Sequence, residues 1–458
     1  MQITQLLTQI THFGQTFEVE LNWIGELIKG LITGVGSVGV GVILFSVILK
    51  LIVLPFDIYQ RISMRKQNIK MKANQEKMEK LQKQYANDKD KYNQKVMEMY
   101  KESGISMFSS CLPMILSMVI FFVAIGAFNS YSQYANIRNY NILVEAYNEK
   151  VESYAPEATQ SNVTVDGGII YVRPTEAGDY LTIQIPDDAE KTDKLAYVND
   201  VLAYKVYDAD GKVISAQYIL EANGVTKMEA ELGDTLAPFK EGKTATEACK
   251  AYLLFQTQNY VVTKYEDTAS PQMSFLWIKN VWATDAAYKH PLVTFDEATS
   301  TLTAGRDKFS VNGKGVSFDE IKRYSSAYNP EAYDLVTGKL SAQKAEANGY
   351  FILIVLSIGT MLLSQFISMR SQKEQNKYSS VDGQGASQQK TMMIVMTVMF
   401  GFFAFMYSAA FSIYMVMSNV LSLISTVVIN KLVDISMSKK EEKELQEKYN
   451  QRFPGRRK

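Results

Sequence analysis

The sequence predicts an α-helical polytopic membrane protein: a five-span core, a cytoplasmic helical hairpin after the first span, and an extracellular β-rich inserted domain. Three observations carry this. Four apolar windows, at about 35–56, 107–128, 349–369 and 391–433, reach the roughly 17–25 residues that a bilayer-spanning helix needs. The last window is twice the length of one span, so it is expected to fold back near Tyr407 to Ala410, which makes five. Charge is also partitioned, although the whole chain balances 48 Lys/Arg against 48 Asp/Glu.

That partition sets an orientation. From Asp57 to the second window the chain carries 12 Lys/Arg against 7 Asp/Glu, and after Ser436 it carries 8 against 4. Residues 129–348 hold 21 basic and 31 acidic side chains. Basic segments stay in the cytoplasm, which places the N-terminus outside, the C-terminus inside and the acidic segment outside. The expected organisation is an N-terminal extracellular amphipathic segment (1–34), a first span (35–57), a helical hairpin (58–106) and a second span (107–128). An extracellular region (129–348), a third span (349–370), a cytoplasmic loop (371–390), paired fourth and fifth spans (391–434) and a basic tail (435–458) follow.

Residues 15–31, TFEVELNWIGELIKGLI, space Phe17, Leu21, Ile24 and Ile28 as one helical face, with Trp23 at headgroup level. No basic leader or cleavage site precedes it, so the first span is expected to serve as its own anchor. In the hairpin, Met71, Met78, Leu81 and Tyr85 form one apolar stripe and Tyr92, Val96 and Met99 another. The turn signal AND (86–88) lies between them. Outside, GGIIYVRP, YLTIQIP, VLAYKVYDADGKVISAQYIL and YVVTKYED alternate apolar and polar residues, so residues from about 160 to 265 read as β-rich, with a hairpin turn at DADG (208–211).

Catalytic and metal chemistry find little support. The two histidines, His12 and His290, and the two cysteines, Cys111 and Cys249, which fall on opposite sides of the membrane, make no zinc set. EGKT (241–244) resembles the end of a phosphate loop, but Ala237 stands where its first glycine belongs. No nucleophile–base pair stands out. A non-catalytic protein without cofactors is expected, acting by binding and by shaping the membrane.

Polar residues inside the spans are the informative ones. Ser46 and Lys50 lie one turn apart on the first span, and Ser117 is on the second. Ser357, Thr360, Ser364 and Ser368 form a stripe beside Gln365 on the third. Ser418, Ser422 and Ser425 stack on the last, flanked by Asn419 and Thr426. Any one serine suits helix packing, whereas four polar faces, one with a cation, suit a shared hydrated cavity. Lys50 lies seven residues from Asp57, roughly 10 Å deep, so snorkelling to the cytoplasmic surface accounts for it as well as a cavity does.

The motifs in order resemble a known family. LKLIVLPFDIYQ, then VMEMYKESGIS, then CLPMILSMVIFF resemble the core of YidC-type (Oxa superfamily) membrane protein insertases. FLWIKNVWATDA (275–286), LLSQFISM (362–369) and SAAFSIYMVMSNVLSLIS (408–425) resemble its later segments. The resemblance covers about 37–128, 272–290 and 349–434. It implies a hydrophilic groove open to cytoplasm and lipid, in which a positive charge attracts acidic or polar segments of an incoming membrane protein. Lys50 takes the position of the family's arginine, with Ser46, Ser117, Ser364, Gln365, Ser418 and Ser422 lining the groove. Implied partners are nascent membrane proteins, the ribosome at the hairpin and basic tail, the Sec translocon, the lipid bilayer and an extracellular partner of the insert. Inserts at about 140–268 and 291–346 are larger than usual and suggest a Gram-positive-type bacterial variant. The rival readings are a channel or transporter, and a membrane anchor displaying the outside domain.

Overall fold

The computed structural model describes residues 10–104, 108–154, 163–166, 169–172, 181–184, 206–207, 213–215, 217–218, 222–300, 302, 309–311, 313–371 and 384–452. The described chain is mostly helical and divides into two compact units. A single 47-residue helix, Phe108–Tyr154, contributes residues to both.

The unit carrying the apolar helices comprises Leu27–Asn129, Thr284–Ala286 and Tyr350–Lys458. Among the described residues, three of its helices are long and apolar enough to cross a membrane, within Val38–Lys72, Ile352–Arg370 and Ala409–Val433. The first of these helices, Val38–Ala73, has 36 residues, about 54 Å. It runs through Pro55, whose missing N–H leaves the Leu51 carbonyl without its helical donor. Tyr407 and Ser408 separate the Gln384–Met406 helix from the 44-residue Ala409–Arg452 helix. Aromatic rings knit these helices: Phe45 meets Phe128 edge-on at 5.5 Å, Phe128 lies 5.6 Å from Tyr414, and Phe121 packs against Phe400 and Phe411. Such pairs bury large apolar area and fix relative helix rotation. Leu51, Ile52, Val355, Phe366, Val398 and Val428 point outward and are exposed, as suits helices solvated by lipid.

The Trp23–Val35 helix precedes them, and Gly36 makes the turn with a left-handed φ of 72°. Gly41 then passes so close to Ile32 that a Cβ there would lie 2.9 Å from the Ile32 Cα. The expected amphipathic helix over 15–31 is thus shorter, starting at Trp23. The residues before Trp23 are not helical because they have other partners. Phe17 donates its N–H to the Tyr328 hydroxyl at 2.6 Å, and Val19 bridges to Phe309 and is buried.

Beyond Ala73, two short helices, Gln75–Gln84 and Lys89–Glu102, fold back on each other. Asp88 caps the second by accepting from the Lys91 N–H at 3.1 Å. Met71, Met78, Met99 and Tyr100 meet in one buried cluster, with Leu81 and Val96 against it. The Tyr100 hydroxyl contacts the Met78 sulfur at 3.2 Å, and burial pushes that hydroxyl's pKa up. Asn74 joins the two ends by donating to the Ser103 Oγ at 2.7 Å.

The other unit comprises Met1–Glu26, Ser130–Ala283 and Ala287–Gly349. Its core is aromatic, with Tyr140, Tyr147, Tyr328, Tyr333, Phe309 and Phe318 all buried. The Tyr140 hydroxyl donates to the Ala327 carbonyl and that of Tyr328 to the Asn141 Oδ1. Asn148 secures the leading segment, taking the Phe13 N–H and donating to the Gly14 carbonyl, both at 2.9 Å.

Strands are short. The largest sheet among the described residues pairs Val163–Asp166, Ile169–Val172 and Leu181–Gln184 antiparallel, with Val163 opposite Val172 and Ile169 opposite Gln184. Val206–Tyr207 pairs with Val213–Ser215, and the DADG turn lies outside the described residues. From Ala222 to Met273 the chain is largely helical, and YVVTKYED (260–267) closes the Ala245–Lys264 helix and continues as a π turn. The expectation of β structure as far as residue 265 is corrected there. Burial at Cys249, Leu253, Thr257 and Val261 repeats every four residues, and this helical face outweighs the strand preference of the two valines. Thr244 of EGKT is spent on a capping box with Glu247.

Candidate functional site

The site is built on helices of the apolar unit. Ser46, Lys50, Asp57 and Arg61 are spaced four, seven and four residues apart, which keeps them on one side of the Val38–Ala73 helix. Ser418, Ser422 and Thr426 are four apart on the Ala409–Arg452 helix. The two rows meet. The Lys50 Nζ donates to the Ser422 Oγ at 3.1 Å and lies 2.7 Å from the Asp57 Oδ2. One turn further, the Arg61 Nη2 donates to the Thr426 Oγ1 at 3.1 Å.

The ammonium is therefore sheltered and satisfied. The Lys50 side chain is 16% exposed and that of Asp57 27%. An unpaired lysine at the centre of a spanning helix costs about 2.5–3.5 kcal/mol or more, and pairing plus a hydroxyl acceptor offsets this. Asp57 also feels Arg61, one turn along the helix. Two cations and one anion alternate along the face, leaving a net charge of +1.

The remaining sequence-derived residues take different places. Ser422 is brought to Lys50. Ser46 is 1% exposed and donates to the Val42 carbonyl at 2.8 Å, so its hydroxyl is turned into its own helix. Ser418 is half-buried and hydrogen-bonds Tyr414. Gln365 accepts from the Thr397 Oγ1 at 3.1 Å, on the Gln384–Met406 helix, and Ser364 beside it is half-buried. Ser117 lies on the Phe108–Tyr154 helix, and its side chain is outside the described residues. Ser357 is buried, donates to the Ile354 carbonyl, and offers its own carbonyl to Asn419 at 3.4 Å.

Asp57, Arg61 and Thr397 were not read from the sequence as part of the site. The four–seven–four spacing that includes Asp57 and Arg61 was visible, but both sit past the proline, where the chain reads as leaving the membrane.

Among the described residues no group of three His, Cys, Asp or Glu side chains could hold a metal. His12 accepts the Gly14 N–H at its Nδ1, and the His290 Nδ1 lies 2.9 Å from the Glu346 carbonyl oxygen.

The model of the family described as 60Kd inner membrane protein matches residues 30–155 and 253–440, well over half of the chain. The chain belongs to the 60Kd inner membrane protein family. Similar curated proteins carry the name membrane protein insertase YidC. That of Caldanaerobacter subterraneus subsp. tengcongensis is 38% identical over 98 residues, 21% of this chain and 46% of the relative. That of Clostridium tetani is 38% identical over 108 residues, 23% and 47%, and that of Fusobacterium nucleatum 35% over 96 residues, 21% and 45%. The chain thus spans a little under half the length of these relatives. No solved structure matches it at a significant level. Family membership and the apolar helices make it a multi-pass bacterial membrane protein.

Proposed function

We propose that this chain is a membrane protein insertase and foldase. Nascent membrane proteins enter a hydrophilic, positively charged groove open to cytoplasm and lipid, and leave sideways into the bilayer. The observation that carries this reading is Lys50: a sheltered ammonium on an apolar helix, hydrogen-bonded to Ser422 of a second apolar helix. A cation at that depth lowers the barrier to drawing a carboxylate partway across.

In this reading the core has five spans, adding the described part of Phe108–Tyr154 and the Gln384–Met406 helix to the three apolar helices. The N-terminus lies outside and the C-terminus inside. Ser46, Ser117, Ser364, Gln365, Ser418 and Ser422 belong to the groove and its walls. The basic hairpin and tail meet the ribosome, the Sec translocon is a further partner, and the segment between the second and third spans faces an extracellular one. No nucleotide is hydrolysed; binding to the groove and partition into lipid drive insertion.

The test is insertion of a single-span client in cells depleted of their own insertase. Lys50→Ala and Lys50→Glu are expected to impair insertion while the protein still accumulates, and Lys50→Arg to retain it. Full rescue by Lys50→Ala would sink the reading. An ion flux through liposomes carrying the purified chain would favour a channel instead.

A further inference from the structure

The cation proposed to attract clients is already engaged. Lys50 sits 2.7 Å from Asp57, two turns along the same helix, with the pair mostly shielded from solvent. Asp57 in turn has a second cation, Arg61, one turn further, and Arg61 is steadied by Thr426. The order along the helix is therefore cation, anion, cation.

We propose that Asp57 is a resident counter-ion and specificity-determining residue of the groove, holding the place at Lys50 that a client carboxylate takes. This rests on the insertase reading above.

Three physical consequences support the assignment. In the empty groove the Lys50–Asp57 pair offsets part of the penalty of a bare ammonium among apolar helices. When a client carboxylate arrives, Asp57 can give up Lys50 without becoming an unpaired anion, because Arg61 remains beside it. The exchange replaces one ion pair with another. The apparent affinity for the client is then reduced by the fraction of time Lys50 spends with Asp57. Neutral segments need not displace Asp57, so the resident carboxylate weakens capture of acidic clients alone and narrows their advantage over neutral ones. It also supplies a return partner for Lys50 when the client moves into lipid.

The test uses the full-length chain in liposomes and two stalled nascent clients that differ only in Asp or Asn residues of the translocated segment. A photoreactive group at position 365 reports capture, and the readout is the ratio of acidic to neutral client captured per folded molecule. Asp57→Asn is expected to raise that ratio roughly three- to tenfold, because the competing anion is gone. Arg61→Gln removes the alternative partner of Asp57, tightens its hold on Lys50, and is expected to lower the ratio. This second variant keeps the idea testable if Asp57→Asn fails to fold. An unchanged ratio in either folded variant, or a shift of the wrong sign, overturns the counter-ion role. Lys50→Gln separates the two layers. If it leaves acidic capture intact, the attraction by Lys50 itself is wrong; if it abolishes acidic capture while Asp57→Asn has no effect, only the counter-ion proposal falls.

Discussion

The Asp285 carboxylate accepts a 2.6 Å hydrogen bond from the backbone N–H of Leu353, sixty-eight residues further along the chain. It also takes the Tyr350 N–H at 2.8 Å, and the Asp285 carbonyl takes that of Phe351 at 3.2 Å. The first turn of the Ile352–Ser371 helix thus has donors that would otherwise lack partners, satisfied by a buried anion placed at the positive end of the helix dipole. Phe351 is held there with a left-handed φ of 62°.

Asp285→Ala is accordingly expected to lower stability by about 2 kcal/mol, since charge-assisted bonds to buried donors are lost. Asp285→Asn, which keeps one acceptor oxygen, should lose less. Thermal unfolding in detergent checks the order; equal midpoints for Asp285→Ala and the parent would show that the clip carries no energy.

The hairpin after Ala73 has only a small seam, so single residues weigh heavily in it. Met78 is 2% exposed and contacts the Tyr100 hydroxyl. Met78→Ala is expected to cost about 2–3 kcal/mol of local stability through the cavity it leaves. Amide exchange should accelerate across Gln75–Gln84 and Lys89–Glu102 and stay unchanged in the Ile352–Ser371 helix. Acceleration in all three helices would point to a global effect instead.

Alkaline pH should weaken the unit with the tyrosine core. Burial raises the Tyr265 pKa to about 12, above the ordinary value near 10. Burial raises those of Tyr140, Tyr328 and Tyr333 as well. Because the folded state holds these protons longer than the unfolded chain does, their contribution is full below about pH 10. It declines as pH rises toward 12, and the Tyr265 share amounts to roughly 2–3 kcal/mol. Tyrosinate absorbance and tryptophan fluorescence followed together provide the check. The buried fraction of tyrosinate should appear only with unfolding; its appearance well before would contradict the assignment.

Local periodicity was legible because it needs only neighbours along the chain. Apolar runs mark Val38–Lys72, Ile352–Arg370 and Ala409–Val433, and the spacing of Met71, Met78 and Met99 marks the face on which they meet. The polar rows on the first and last apolar helices, with Lys50 and Ser422 among them, were equally visible. The strand reading of Tyr260–Asp267 misled, because β-branched residues suggest extension when the four-residue burial rhythm upstream is not yet known.

Read alone, the sequence determined where apolar helices lie and that one of them carries a cation, since hydropathy and spacing are properties of a single segment. Which group answers that cation was decided only by tertiary structure. Packing of the Val38–Ala73 helix against the Ala409–Arg452 helix brings Ser422 to Lys50, and the rotamers it allows turn Asp57 back to the ammonium while Ser46 is consumed by its own backbone. The Lys50–Ser422 contact is a 3.1 Å distance between residues 372 positions apart, which no pattern along one segment encodes.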